Sequence, residues 1–334
     1  MIAIVGAGAM GTALAMVHQR AGLKTSILGT RFDDATVDAC RSGQPHPALG
    51  VALDRSIDVR GYGSWGAVLR NAERVVIGVS SNGLADVVGE VAPLVGPGVT
   101  WVVATKGWDA ETLLTPVEII EKSGGDPSRV VILAGPALAP ELVAGAPTSM
   151  VCACRDVDVA SNVAASLTAA GLSANTTDDV VGAEVAAAYK NVTAIAVGIC
   201  EGLSERLPER VYIHRFANAR AAMFAKGLED MTRLAMAQGG RIETIVGLAG
   251  AGDLYVTCLG GRNGNYGRLI GSGQNAEQAQ RTIGSTVEGV AATHAALGIA
   301  GRVGVDLVAA SAVDDVLAGR TSPEDAVSSA LGTA

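Results

Sequence analysis

Aromatic side chains are nearly missing from this chain, at 3% of 334 residues, although almost half of the residues are apolar. Its interior must therefore be filled by Ala, Val, Leu and Gly, which suits helices packed closely on a parallel sheet. Basic charge is short as well: 25 Lys and Arg face 33 Asp and Glu, for a net charge of -8. That balance excludes general nucleic-acid or polyanion binding, and an anionic substrate would need a local basic pocket. The five cysteines form no C-x-x-C pair. Cys152 and Cys154 would share one face of a strand, and all five read as buried free thiols in a reducing cytoplasm rather than as a metal pair or a disulfide. No His/Cys/Asp cluster has ligand spacing, so no metal is expected. The N-terminal apolar run lacks a basic flank and is broken by glycines, unlike a signal peptide. No uncharged apolar run suggests a membrane span, so the expectation is a cytoplasmic protein without membrane insertion.

The length favours two domains. Short apolar runs at Ile2–Val5, Lys24–Leu28, Val75–Val79, Thr100–Ala104, Val130–Ala134 and Ser149–Ala153 read as strands, most of them separated by helical patterns or loops. That alternation predicts a doubly wound parallel sheet of Rossmann type over residues 1–178, with ligands at the carboxyl edge of the strands. Near residue 180 the pattern turns helical, at Gly182–Gly202, Asn218–Gln238, Asn275–Ile283, Val287–Gly298 and Val303–Leu317. Residues 179–334 are therefore expected to form an all-α, substrate-binding C-terminal domain. No repeat of solenoid period is present.

Gly6-Ala7-Gly8-Ala9-Met10-Gly11 directly follows the first strand and opens a helix. In that position Gly6 permits the tight turn, Gly8 lets the backbone approach a pyrophosphate, and Gly11 lets helix and strand pack. Gly6, Gly8, Ala9, Met10 and Gly11 are thus candidate contacts for a dinucleotide; a purely structural turn or an S-adenosylmethionine site are the other readings. The second strand ends Leu28-Gly29-Thr30-Arg31-Phe32, with acidic residues only at Asp33 and Asp34. A carboxylate at the strand end would bind the ribose of NAD, whereas Arg31 suits a 2′-phosphate. NADP is therefore the preferred cofactor and NAD a possible one; alternatively Arg31 stacks on adenine or faces solvent.

A dehydrogenase needs a proton donor or acceptor and a fixed charge to hold its substrate. His18, His46, His214 and His294 lie in no recognisable site motif. Among the few lysines, Lys106 follows a strand in Ala104-Thr105-Lys106-Gly107, on the edge where ligands gather, unless it is a surface lysine. Lys190 sits among small apolar residues of a helix, which is costly unless the charge is paired, functional or snorkelling. Asp253 and Thr257 at i and i+4 would share a helix face and could partner it. Gly260-Gly261-Arg262-Asn263-Gly264 reads as a loop wrapping an oxyanion, or as an ordinary surface loop.

These segments, with Gly135-Pro136-Ala137-Leu138-Ala139-Pro140-Glu141, Lys190-Asn191-Val192, Gly247-Leu248-Ala249-Gly250-Ala251-Gly252-Asp253-Leu254 and Val287-Glu288-Gly289, resemble the NAD(P)-dependent glycerol-3-phosphate dehydrogenase family over essentially the whole chain. Gln44-Pro45-His46-Pro47-Ala48-Leu49-Gly50 and the Gly260–Gly264 segment look most like its archaeal-type branch. The resemblance implies interconversion of dihydroxyacetone phosphate and sn-glycerol 3-phosphate in glycerophospholipid metabolism. It further implies Lys190 as general acid/base, Lys106 at substrate and cofactor, and Asp253 beside the catalytic lysine. Gly135, Asn191, Asp253, Thr257, Arg262 and Asn263 would line the substrate, and Lys106, Ala139, Arg262, Thr286 and Glu288 the cofactor, beside Arg31 at the end of the second strand. Two positions depart from the family pattern: Ala137 stands where a serine is usual, and Gly261 where Ser often precedes the arginine. A reductase of a related hydroxyphosphate or hydroxyphosphonate on the same scaffold is the alternative, with a non-catalytic NAD(P)-binding protein behind it. A homodimer is possible, because the α-domain is apolar enough to form an interface.

Overall fold

The computed structural model describes residues 1–207 and 216–333. His214 lies outside them. The chain divides into two compact units, Met1–Asp109 with Leu114–Val180, and Ala110–Leu113 with Val181–Ala334. The short excursion at residues 110–113, which packs with the second unit, carries no compositional mark, and the sequence reading placed it in the first.

The first unit is built on eight strands: β1 (Ile2–Val5), β2 (Thr25–Leu28), β3 (Asp58–Arg60), β4 (Arg74–Ile77), β5 (Thr100–Val103), β6 (Val130–Ala134), β7 (Ser149–Ala153) and β8 (Ser173–Thr177). Their order in the sheet is β3-β2-β1-β4-β5-β6-β7-β8. All neighbours are parallel except β6 and β7, which pair antiparallel through Ile132–Ala153, Leu133–Cys152 and Ala134–Val151. The expected doubly wound sheet is thus parallel through β6 and carries an extension of reversed direction. The central strands are buried along their whole length, which is why they read as unbroken apolar runs. β3 and β8 were not read as strands. One is a half-buried three-residue edge, Asp-Val-Arg, and the other is Ser-Ala-Asn-Thr-Thr, with no apolar signal to find.

Helices α1 (Ala9–Arg20), α2 (Asp34–Arg41), α3 (Gly66–Arg70), α4 (Leu84–Val91), α5 (Pro116–Lys122), α6 (Ala139–Ala144) and α7 (Val157–Ala169) belong to this unit. α1 packs against α6 and α7. The core between helices and sheet uses Ala13, Leu14, Val17, Val76, Val131, Cys152, Val163 and Leu167. Asp156 caps α7 by accepting from the N–H groups of Asp158 and Val159.

The second unit holds α8 (Val180–Ser204), α9 (Ala217–Ala237), α10 (Ile242–Val246), α11 (Asp253–Cys258), α12 (Arg262–Gly271), α13 (Ala276–Ile283), α14 (Glu288–Val303), α15 (Val308–Leu317) and α16 (Pro323–Leu331). α8 is long and apolar enough to cross a bilayer, yet 94% of that window is buried inside the protein, as in a core helix. α8 and α12 meet along glycines: a Cβ on Gly198 would lie 2.2 Å from the Gly264 carbonyl oxygen, and one on Gly267 2.1 Å from that of Ile195. Gly198 and Gly267 therefore serve helix packing, and the expected loop at residues 260–264 is instead the start of a helix.

The cysteines are unpaired, four of them buried, and burial pushes the thiols of Cys152, Cys200 and Cys258 up to about 12. His18, on the buried face of α1, gives one hydrogen bond to the Leu14 carbonyl, and its Nε2 has no partner. Burial, opposed by the Leu14 contact and reinforced by the charge of Arg74, lowers its pKa from 6.5 to about 4. The fold favours the neutral ring, so this contribution to stability is complete above pH 6.5 and is lost as pH falls from 6.5 to about 4. A shift of that size corresponds to at most about 3 kcal/mol. Urea unfolding from pH 7 to pH 4 should show a decline in stability that His18→Leu flattens; an unchanged slope in the variant would contradict the assignment.

Candidate active site

The first unit carries the glycine turn at the carboxyl end of β1, where the strand order reverses between β1 and β4. Gly6 has φ 105°, and a Cβ there would meet the Gly78 carbonyl oxygen at 2.7 Å. A Cβ on Gly11 would lie 2.2 Å from the Gly6 carbonyl oxygen, whereas one on Gly8 meets nothing closer than 3.9 Å. Two glycines are thus demanded by packing, and the third leaves the backbone approachable. α1 begins at Ala9 with no side-chain cap and no acidic residue in its first turn. The N–H groups of Ala9, Met10 and Gly11 open that helix, and its positive end faces no fixed counter-charge in the first turn. This is the arrangement an anionic dinucleotide bridge requires.

The turn is held from two sides by residues the sequence reading did not assign to it. Asp33 Oδ2 accepts from the Ala7 N–H at 3.0 Å, the Thr30 N–H at 2.9 Å and the Thr30 hydroxyl at 2.8 Å. His46, only 2% exposed, places Nε2 at 2.9 Å from the Ala7 carbonyl oxygen. Its Nδ1 accepts from the Ala48 N–H at 3.1 Å, so the ring proton sits on Nε2 and donates to Ala7. The Thr12 hydroxyl also donates to that carbonyl. Fixing the Ala7 carbonyl sets the direction of the trans-related N–H of Gly8. The only sequence signal for this was the unusual placing of a histidine between two prolines.

At the same sheet edge Lys106 follows β5, and its Nζ donates to the Gly135 carbonyl, after β6, at 3.4 Å. The Thr105 hydroxyl donates to the Val79 carbonyl, anchoring the segment. Ala139 is the buried first residue of α6, and Ala137 is only 7% exposed. Arg31 lies apart from Lys106 in this unit: it is half-exposed, pairs with Asp86, approaches Glu90 at 3.8 Å, and stacks its guanidinium on Phe32.

The second unit brings together Lys190, Asp253 and Thr257. Lys190 Nζ donates to Asp253 Oδ1 at 3.0 Å and to the Thr257 hydroxyl at 2.9 Å. That hydroxyl in turn donates to the Asp253 carbonyl at 2.6 Å. The ammonium and carboxylate side chains are 9% and 2% exposed. Asp253 is placed by a π-helical turn, Leu248–Gly252, immediately before α11. Gly250 permits that turn, since a Cβ there would lie 2.0 Å from the Ile245 carbonyl oxygen. Such turns are frequent where a side chain must be re-aimed for function. α8 is anchored one residue before the lysine: the Tyr189 hydroxyl donates to fully buried Asp230 at 2.7 Å, and Asp230 also accepts from the N–H groups of Val308 and Ala309.

Beside this group a chain of amides crosses three helices. Asn263 Nδ2 donates to Asn191 Oδ1, and the Gly289 N–H donates to Asn263 Oδ1, both at 2.9 Å. Arg262 is the exposed first residue of α12, and Glu288 opens α14 after exposed Thr286. Gly261, before Arg262, has φ 92°. A serine there would be strained, which accounts for that departure from the family pattern.

Residues 1–160 match the N-terminal domain, and residues 179–328 the C-terminal domain, of NAD-dependent glycerol-3-phosphate dehydrogenase. A glycerol-3-phosphate dehydrogenase [NAD(P)+] of Methylobacillus flagellatus is 35% identical over 99% of this chain and 97% of its own. One from Stenotrophomonas maltophilia is 34% identical over 99% of this chain and 94% of its own. The crystal structure of a Coxiella burnetii glycerol-3-phosphate dehydrogenase superposes with a TM-score of 0.86 at 29% identity, covering 99% of this chain and 98% of that one. A 2-dehydropantoate 2-reductase of Geobacter metallireducens shares the fold alone, with a TM-score of 0.61 at 18% identity over 96% of this chain and 99% of its own. With a dinucleotide turn in one unit, a buried Lys–Asp–Thr group in the other, and relatives matched end to end, the chain belongs to the NAD-dependent glycerol-3-phosphate dehydrogenase family.

Proposed function

We propose that this protein interconverts dihydroxyacetone phosphate and glycerol 3-phosphate with a nicotinamide cofactor, and that Lys190 is its general acid/base. The observation that carries the reading is the buried ammonium of Lys190, held by Asp253 and Thr257 at 3.0 and 2.9 Å. A cation so placed supplies a proton at a fixed point and stabilises the negative charge that develops on a carbonyl oxygen during reduction. Bound NAD(P)H supplies the hydride for C2 of the substrate. In the reducing direction Lys190 gives its proton to the C2 oxygen. Asp253 keeps the lysine charged and aimed, and Thr257 fixes the rotamer. Lys106, at the carboxyl edge of the sheet, is proposed as a further cation for substrate and cofactor. Arg262 pairs with the substrate phosphate, with Asn191 and Asn263 completing its hydrogen bonds, and Gly135 allows close approach of the backbone. This clamp sets which face of the carbonyl accepts the hydride.

The residues toward the cofactor fit an anionic dinucleotide: Gly6, Gly8, Ala9, Met10 and Gly11 at the pyrophosphate, Arg31 at the adenosine end, and Lys106, Ala139, Arg262, Thr286 and Glu288 further along. NADP is the proposed preference. The Asp33 carboxylate is drawn inward to Ala7 and Thr30, away from the role of a ribose acceptor, while Arg31 remains as a guanidinium for a 2′-phosphate. Asp86 and Glu90 compete for it. The exposed apolar side chains of Met236, Ile242, Val246, Tyr255 and Leu259 support a homodimer through the second unit, and a cytoplasmic location suits the free thiols.

Lys190→Ala should lower kcat by about two to four orders of magnitude, with the NADPH dissociation constant changed little. Arg262→Ala should act chiefly on KM for dihydroxyacetone phosphate. Near-normal turnover in the lysine variant would overturn its role. For the cofactor, Arg31→Ala should raise KM for NADPH about tenfold, the cost of one charged contact, and leave that for NADH nearly unchanged. Asp86→Ala should shift preference the other way by freeing Arg31; equal effects on both cofactors would refute the assignment. His46→Phe, which fills the space but lacks the donor, should weaken NADPH in fluorescence titration by about tenfold, and His46→Gln should recover most of it. Unchanged binding in the Phe variant would show that the Ala7 contact does not order the turn.

A further inference from the structure

A cavity of about 600 Å³ opens within the first unit, at the edge of the sheet where the strands begin, lined in part by Ile2, Lys24, Arg74, Thr100, Arg129 and Asn162. It lies at the opposite end of β1 and β4 from the glycine turn, one four-residue strand away, or about 13 Å. Nothing in the proposed reaction uses it.

Its charges are unusual. Arg74 is only 8% exposed, and its partners are neutral: NH1 donates to the Ser166 hydroxyl, and NH2 to the side-chain and backbone oxygens of Asn162. Arg129 donates to the Thr100 hydroxyl at 3.3 Å, and its buried Nε has no acceptor. Lys24, on the rim, is exposed. Among the described residues none of these three cations has a carboxylate within ion-pair distance. The carboxylates nearby are mostly committed elsewhere: Glu73 to the N-terminal amine at 3.1 Å, and Asp156 to the cap of α7. Asp158 is exposed. Burial disfavours the charge of Arg74, Glu73 offsets this only in part, and the charge is felt inside the protein, because Arg74 contributes to the depressed pKa of His18. A guanidinium taken out of water with only partial compensation is expensive, and an anion arriving in the cavity would reduce that cost.

We propose that this cavity is a second ligand site, independent of the cofactor turn, for a small phosphate-bearing metabolite whose phosphoryl oxygens are held by Arg74, Arg129 and Lys24. Two guanidinium groups and an ammonium around one space match the several acceptor oxygens of a phosphate. The volume exceeds that of inorganic phosphate, leaving room for the remainder of a phosphate ester against Ile2, Leu23 and Val159.

The test uses the full chain carrying Arg262→Met and saturated with NADPH, so that the substrate and cofactor sites do not report. Inorganic phosphate, pyrophosphate and a pentose phosphate are titrated separately by calorimetry, with amide hydrogen exchange to locate binding. The expected result is saturable binding of at least one of them that slows exchange in residues 156–166 and 72–76. Binding should weaken at least tenfold in Arg129→Met and in Lys24→Ser, which change partly exposed side chains, and in Arg74→Met. A tighter pentose phosphate identifies an ester as the ligand, and equal affinities identify the free ion; both outcomes support the site. Absence of saturable binding, protection elsewhere, or equal affinity in the Arg129 and Lys24 variants would overturn it.

Discussion

The second unit depends on keeping one ammonium charged inside an apolar helix. Lys190 lies on a buried stretch of α8 rich in Ala and Val. Left alone, that charge would be expelled or neutralised. Asp253 and Thr257 prevent this, and breaking such a buried pair typically costs about 3–5 kcal/mol. Much of the surrounding architecture serves that geometry. The π-turn delivers Asp253, Gly250 allows the π-turn, and Tyr189 is tied through Asp230 to α15. Glycines let α8 and α12 come close enough for Asn191 and Asn263 to touch.

The first unit solves a different problem, which is to present bare backbone N–H groups without collapsing onto them. Close approach of β1, α1 and β4 uses Gly6, Gly11 and Gly78, whose added Cβ atoms would each fall within 3 Å of backbone. That closeness leaves little room for side chains to hold the turn from within, where only the Thr12 hydroxyl reaches the Ala7 carbonyl among the described residues. Asp33 and His46 therefore hold it from without, one on each side of the Ala7 residue. The scarcity of aromatics and the abundance of glycine noted at the outset are two sides of the same requirement for close backbone approach.

Much of this was legible in the order of residues. The strands β1, β4, β5, β6 and β7 announce themselves as largely apolar runs because they are buried on both faces, and β2 is legible from its place after the glycine turn and helix. β3 and β8 do not, since an edge strand need not be apolar. The reversed direction of β7 has no local signature at all, because it is set by how the chain returns to the sheet. Lys190, Asp253 and Thr257 were readable from spacing, as i and i+4 on one helix opposite a lone buried charge. The helix beginning at Arg262 was hidden because its glycines look like loop residues until α8 is laid against them. Asp33 and His46 were hidden for a related reason: their role is to hold a turn that lies far from them in sequence.

The central claim is that this buried lysine supplies the proton when a nicotinamide cofactor reduces a phosphorylated three-carbon ketone. The most direct measurement is NADPH oxidation by the purified protein on addition of dihydroxyacetone phosphate, with the product identified. The account predicts stoichiometric formation of glycerol 3-phosphate and no comparable oxidation with 2-dehydropantoate, which lacks the phosphate. Oxidation with the unphosphorylated keto acid alone, or with neither compound, would contradict it.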